Sequence, residues 1–216
     1  MISHLHDWLP ILLEGTEITV FLTIVTMAVG LILGLPIALA RLNTSNRAAY
    51  LPATVLVEVI RGTPLLLQLY YLFYVLPLIG IRLDPIPTAI IGLGISNACF
   101  LSEVYRAGIA AIHSSQWEAA AALGLPRAIT LWKIILPQAI RIVLPPIGNY
   151  FIALFKDTAL VSTISVQELM FSGRLLASSN FRYFEVFTLV GLIYLLLCYP
   201  SARGVRWMEK KMAQGR

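Results

Sequence analysis

EAAAALGLPRAITLWKIILP, residues 118–137, is the stretch on which the fold turns. Apolar runs flank it on both sides, so whether it is itself a span sets how often the chain crosses a membrane. Glu118, Arg127 and Lys133, together with Gly124, Pro126 and Pro137, deny it the roughly 20 uninterrupted apolar residues that a crossing requires. It reads instead as two short helices. Ser115 followed three residues later by Glu118 predicts a capping box, the alanines 119–122 propagate a helix, and Gly124 supplies a residue able to adopt the left-handed stop conformation. Pro126 suits the first position of a second helix, predicted to run to Leu136 and to close at Pro137.

Around this hairpin the chain is lipid-soluble. Of 216 residues 58% are hydrophobic and 12% charged, where a soluble domain carries about 25% charged residues, and the mean hydropathy is +0.81. The fold class is therefore an all-α integral membrane protein, a single domain over 1–216, with five transmembrane helices predicted at 16–40, 53–79, 88–112, 139–164 and 184–202 and the loop 113–137 between the third and fourth. No run shows the alternation of a membrane β-barrel. With five spans the termini lie on opposite sides. An outer N-terminus puts Arg41, Arg47, Arg127, Lys133, Arg141, Arg203, Arg206, Lys210, Lys211 and Arg216 inside, against Arg82, Arg174 and Arg182 outside. Ten against three predicts N-terminus outside and C-terminus inside, which makes the hairpin cytoplasmic. The polar connection 163–185 reads as a loop or a short helix on the outer surface.

Composition also excludes classes. The net charge of +5 belongs to inner loops and lipid headgroups and implies no nucleic acid. Cys99 and Cys198 lie in apolar runs, and no Cys/His cluster has metal spacing. The start, MISHLHDWLPILLEGTE, lacks the basic n-region and cleavage site of a signal peptide.

The residues of the hairpin alone leave two readings open: a connector lying on the membrane surface, or a docking element for a protein partner. Small alanines admit close approach of another surface, and Trp117, Leu123, Leu125 and Trp132 call for a partner or lipid. The spacing Glu118-Ala119-Ala120, Gly124, Ile134 and Leu136-Pro137 resembles the EAA loop of the membrane subunits of ATP-binding-cassette importers. EVIRGTPLL at 58–66, SEVYRAG at 102–108, KDT at 156–158 and LVS at 160–162 are similar to the polar amino-acid branch of those permeases, with Ala159 a departure from its frequent serine. The resemblance implies a multi-pass bacterial inner-membrane protein that imports polar, in particular cationic, amino acids or related solutes. It implies that Glu118, Ala119, Ala120 and Gly124 engage a separate ATPase subunit, with Leu136 and Pro137 fixing the loop to the next span. It further implies a second permease subunit, an extracytoplasmic solute-binding protein and contact with membrane lipid. The chain carries no GxxxxGK[ST] loop, so ATP and Mg are assigned to the ATPase, no cofactor to this chain, and no enzymatic activity.

Charges inside the membrane face the bundle interior. Glu58 with Arg61 and Glu103 with Arg106 have i, i+3 spacing and are expected to pair, whereas the adjacent Lys156 and Asp157 are expected to find partners on other spans. Gly92, Ser96, Cys99, Glu103 and Arg106 form one small and polar stripe on the third span, with Asn97 beside it and Thr63 and Gln68 further polar candidates from the second. These residues are the candidate substrate pathway, with Glu103 expected to meet a substrate cation. Pro64 and Pro145-Pro146 are predicted kinks, and Gly30-L-I-L-Gly34 a close-packing face. Two rival classes stand beside this reading. A secondary transporter or channel would use the buried charges as an ion relay. A membrane enzyme would need a constellation that His4, His6 and His113 do not provide.

Overall fold

A computed structural model describes residues 5–213; His4 and Arg216 lie outside the described residues. The described chain is helical, with α1 Leu5–Leu42, α2 Arg47–Gly62, α3 Leu65–Ile79, α4 Pro85–Ala110, α5 Ser114–Ala122, α6 Arg127–Ile164, α7 Leu169–Asn180 and α8 Tyr183–Ala213. Helices α1, α4, α6 and α8 are each long and apolar enough to cross a membrane, and α2 with α3 makes a fifth crossing if that bent pair is one span.

The α1–α4 seam is built from small residues. A Cβ on Gly30 would sit 2.8 Å from the Asn97 Cβ, and one on Gly34 would sit 3.0 Å from the Ala98 carbonyl oxygen. From the other side, a Cβ on Gly94 would meet Val29 Cγ1 at 2.8 Å. The GxxxG face thus lets two helix backbones approach as a larger residue would not. Thr16, Thr23 and Thr26 return their hydroxyls to carbonyls one turn back, at 2.6–2.8 Å, so these polar residues of α1 have partners for their donors.

Prolines shape the remaining spans. The segment 53–79 is not one continuous helix: it bends by 105° between Gly62 and Leu65. Pro64 has no N–H to donate to the Ile60 carbonyl, and Gln68 Nε2 fills that place at 2.7 Å while also donating to the Thr63 carbonyl at 3.1 Å. Widened π-turns occur at Tyr71–Val75 and Leu131–Ile135, each ending two residues before a proline, Pro77 or Pro137. In each the next amide bonds five residues back, Leu76 to Tyr71 and Leu136 to Leu131, which absorbs the proline without ending the helix.

This corrects the second half of the hairpin. The helix expected to close at Pro137 runs straight on, so residues 127–138 are the first turns of the fourth apolar helix. Pro126 precedes that helix as its cap rather than opening it. Pro145 and Pro146 lie inside it, and α1 and α8 extend beyond the apolar limits read from the sequence. The connection 163–185 contains the helix α7.

Gly34→Val is expected to lower stability by about 1–3 kcal/mol through overpacking of the seam. Gly204→Ala, which meets no atom within 4 Å, should be neutral or stabilise by up to about 1 kcal/mol. Thermal unfolding of the detergent-solubilised protein separates the two.

Candidate functional site

The hairpin is a rigid knob on the ends of α4 and α6. Ile109, Ile112, Ile135 and Ala139 form a small core, against which Trp117, Leu131, Ile134 and Leu136 pack. Helix α5 ends in a Schellman turn: the Gly124 amide bonds the Ala121 carbonyl at 2.9 Å and the Leu125 amide bonds that of Ala120 at 3.0 Å, with Gly124 at φ +69°. Ala120 is buried at the base, whereas Glu118, Ala119 and Gly124 are exposed; Leu136 is half-buried in the next helix, and Pro137 is exposed. A cavity of about 450 Å³ opens between Trp117, Glu118, Ala121, Leu125, Arg127 and Thr130. The predicted capping box does not form. His113 is the cap, its Nδ1 accepting from the Ser115 amide at 3.2 Å, and Ser115 lies inside the first turn. Because His113 takes that amide, the Glu118 carboxylate is left without the reciprocal cap.

The second centre is an ion cluster where α1, α2 and α4 meet. Glu103 is bonded by Arg41 from the end of α1 and by Arg106 at 2.8 Å from its own helix. The Arg61 guanidinium stands 3.8 Å from Glu103, and Arg41 reaches Glu58 at 3.6 Å. The Glu103–Arg106 pair thus forms. Glu58 and Arg61 do not pair with each other among the described residues, because each finds its partner across a helix interface instead. Arg41, counted from sequence as an inner-loop charge, is the residue that joins the two carboxylates. Its side chain is 10% exposed, against 70% for Glu58.

Beside the cluster, the elbow between α2 and α3 opens a groove of about 400 Å³ lined by Thr63, Gln68, Gly92 and apolar neighbours including Ile60 and Leu72. Thr63 Oγ1 donates to the Val59 carbonyl at 2.8 Å and accepts from Gln68 Nε2 at 3.0 Å. Both predicted pathway residues therefore line the groove while holding the elbow together. The polar stripe of α4 is partly covered: Gly92 packs on Leu69 and Leu72, and Cys99 is buried. Ser96 is half-buried, one turn beyond Gly92. Asn97 does not line the groove; it is buried against Gly30, and its Oδ1 accepts from Tyr150 of α6 at 2.9 Å. Lys156 is exposed and Asp157 half-buried toward the C-terminal end of α6, and neither forms an ion pair among the described residues, contrary to the expectation of partners on other spans.

One carboxylate escaped the sequence reading. Glu168, fully buried at the start of α7, accepts from the amides of Met170 at 2.9 Å and Phe171 at 2.8 Å. It also accepts from Tyr194 of α8 at 3.0 Å and Thr19 of α1 at 3.4 Å. Burial pushes its carboxyl above the usual glutamate range, against these four neutral donors, which pull the other way. An acidic residue directly before an apolar-periodic helix was the available signal, but its partners lie 149 and 26 residues away.

With this geometry in hand, comparison with known proteins identifies the chain. The family described as "Binding-protein-dependent transport system inner membrane component" matches residues 18–214. The L-cystine transport system permease protein TcyB of Bacillus subtilis is 38% identical over 204 residues, 94% of this chain and 87% of that one. The glutamine transport system permease protein GlnP of Escherichia coli is 35% identical over 214 residues, 95% and 97%. A crystal structure of an amino acid ABC transporter with histidines superposes with a TM-score of 0.93 at 32% identity, covering 98% of each chain. Fold and hairpin thus define the class of membrane-embedded transport subunits. The chain belongs to the family of inner-membrane components of binding-protein-dependent transport systems. It is the translocation-pathway subunit of an ABC importer, a multi-pass inner-membrane protein that is not itself an enzyme, its ATPase being a separate subunit. The rival reading as a secondary transporter or channel is not favoured.

The Gln68 amide at the elbow and the buried Glu168 carboxyl each set a measurable outcome. Gln68→Leu removes the close donor to the half-buried Ile60 carbonyl, leaving it the 3.5 Å approach of Thr63 Oγ1, and should cost about 1 kcal/mol, read as a drop in thermal midpoint. For Glu168, a raised folded value means that the folded protein holds the proton more tightly than the unfolded chain. Its contribution to stability is present below the ordinary glutamate range and is lost as pH rises through the folded value. The wild-type midpoint should therefore fall more steeply, as pH rises from the ordinary glutamate range to that raised value, than that of Glu168→Gln; equal slopes would contradict this assignment.

Proposed function

We propose that this subunit imports amino acids or related polar solutes, driven through the hairpin 113–137 by an ATPase bound on its cytoplasmic side. The observation that carries the reading is the hairpin itself, a rigid and protruding element with a small-residue surface. In this reading the α2–α3 pair is one broken span of five, the N-terminus is outside and the C-terminus inside, as the basic residues favour. ATP and Mg are bound by the ATPase. A second permease subunit, identical or homologous, completes the pathway, and an extracytoplasmic binding protein delivers the solute. Similarity to cystine and glutamine permeases supports the substrate class.

The elbow groove lined by Thr63 and Gln68, together with Ser96 one turn along α4 from the lining Gly92 and the cluster of Glu58, Arg61, Glu103 and Arg106 on the α2 and α4 helices that also line it, is this chain's share of the pathway. Asn97, and Lys156 with Asp157, lie apart from that groove; for them a pathway role rests on the resemblance alone. The cluster sets three guanidinium groups against two carboxylates. Glu103 is already neutralised by arginine, so the cluster lends no support to a preference for cationic side chains.

Glu118→Arg places a cation at the docking surface. Gly124→Asp forces a side chain into φ +69°, where nothing crowds the Cβ and the cost is backbone strain, about 1–2 kcal/mol. Both variants should insert normally but release the ATPase or hydrolyse ATP without uptake in proteoliposomes. Normal transport by both would refute the docking role. Glu103→Gln should weaken transport by loosening Arg41 and Arg106; unchanged uptake with unchanged substrate dependence would remove Glu103 from the pathway.

A further inference from the structure

Helix α7 is joined to two spans by unusually close packing. A Cβ on Gly15 of α1 would lie 2.6 Å from Ser172 Oγ, and one on Gly173 would lie 2.5 Å from Val190 Cγ2 of α8. Trp8, Leu12, Leu169, Leu176, Val186 and Val190 belong to one hydrophobic core shared by the three helices. At its edge sits Glu168, whose carboxylate caps α7 and takes the Thr19 and Tyr194 hydroxyls, while the Leu169 amide donates to Thr19 Oγ1 at 3.2 Å. One buried group therefore ties all three elements with hydrogen bonds that the low dielectric of the interior makes costly to break.

The tie reaches the pathway wall. From α7, Arg174 Nη2 donates to the Ser162 carbonyl at 3.0 Å, and Tyr74 of α3 donates to the Thr163 carbonyl at 3.0 Å. The segment 161–166 around these points packs through Val161, Ile164 and Val166 against Leu69 and Leu93, and Leu69 in turn covers Gly92 in the groove. We infer that Glu168 is a positioning residue for transport: it makes α7, the adjoining half of α1 and the adjoining half of α8 one rigid unit that holds the groove's wall in register. The inference rests on the importer reading for its transport readout but not for its structural one.

Thr19→Val combined with Tyr194→Phe tests it, because the pair removes the cross-helix bonds and leaves the two backbone caps of Glu168 in place. The permease–ATPase complex is reconstituted in lipid with its binding protein. Two quantities are measured: hydrogen exchange of the 169–180 amides, and uptake of a ¹⁴C-labelled amino-acid mixture per ATP hydrolysed. The expected result is exchange faster by about tenfold, equivalent to about 1.4 kcal/mol of lost protection, with uptake per ATP reduced at least about fivefold while assembly persists. Unchanged exchange overturns the tie. Faster exchange with unchanged uptake per ATP overturns the positioning role and leaves a structural one. If the wild-type complex accumulates no label, the substrate reading fails instead, and the tie is still decided by exchange. Should the double variant fail to assemble, Tyr194→Phe alone, which removes the 3.0 Å bond to Glu168 and keeps the Thr19 hydroxyl, is put through the same two measurements, and each outcome carries the same meaning.

Discussion

The structure depends on the close contact of α1 with α4. Gly30 and Gly34 bring the two backbones to a separation that only glycine permits, and the consequences run along both helices. Lower on the seam, the Tyr105 hydroxyl reaches the Leu31 carbonyl at 3.3 Å. At its end Arg41 meets Glu103, and through Arg41 the helix α2 is drawn into the same cluster. Further along α1, the Gly15 surface receives α7. A helix of 38 residues is about 57 Å long at 1.5 Å per residue, well beyond about 30 Å of hydrocarbon. It serves as a spine that meets the ion cluster of α2 and α4 at one end and α7 at the other.

A second constraint acts through proline. Where water is scarce, a carbonyl that loses its helical donor must be given another. At Pro64 the chain bends sharply and Gln68 supplies the donor; before Pro77 and Pro137 it widens by one residue instead. The first solution makes the elbow and its groove. The last lets the fourth apolar helix begin inside the hairpin, so that α5 and that helix share the core around Ile109 and Ile135. Helices α5 and α6 are thereby packed on one another across the Gly124 turn.

Much of this was legible in the residues. The polarity of 118–137 excluded a separate span, Gly124 marked the turn, and the Gly30–Gly34 spacing marked the seam. What sequence reading missed are long-range partners. Arg41 follows an apolar run and reads as a loop charge until α1 and α4 are packed together. The i, i+3 rule favours Glu58 with Arg61 only if no better partner arrives from another helix, and here Arg41 and Glu103 do. Glu168 sits in a stretch whose composition suggests a surface loop, and only the approach of Thr19 and Tyr194 reveals it as buried. The capping box failed for a local reason, since His113 offers a ring nitrogen two residues earlier.

The central claim is that the exposed face of α5 is where an ATPase drives this subunit. It is tested most directly by placing a photoreactive amino acid at Ala119 in living cells and identifying the covalent adduct by mass spectrometry. The account predicts an adduct containing peptides of a nucleotide-binding subunit, absent when the same group is placed at the exposed Leu78 in the last turn of α3. Labelling of lipid alone from Ala119, with the protein correctly inserted, would contradict it.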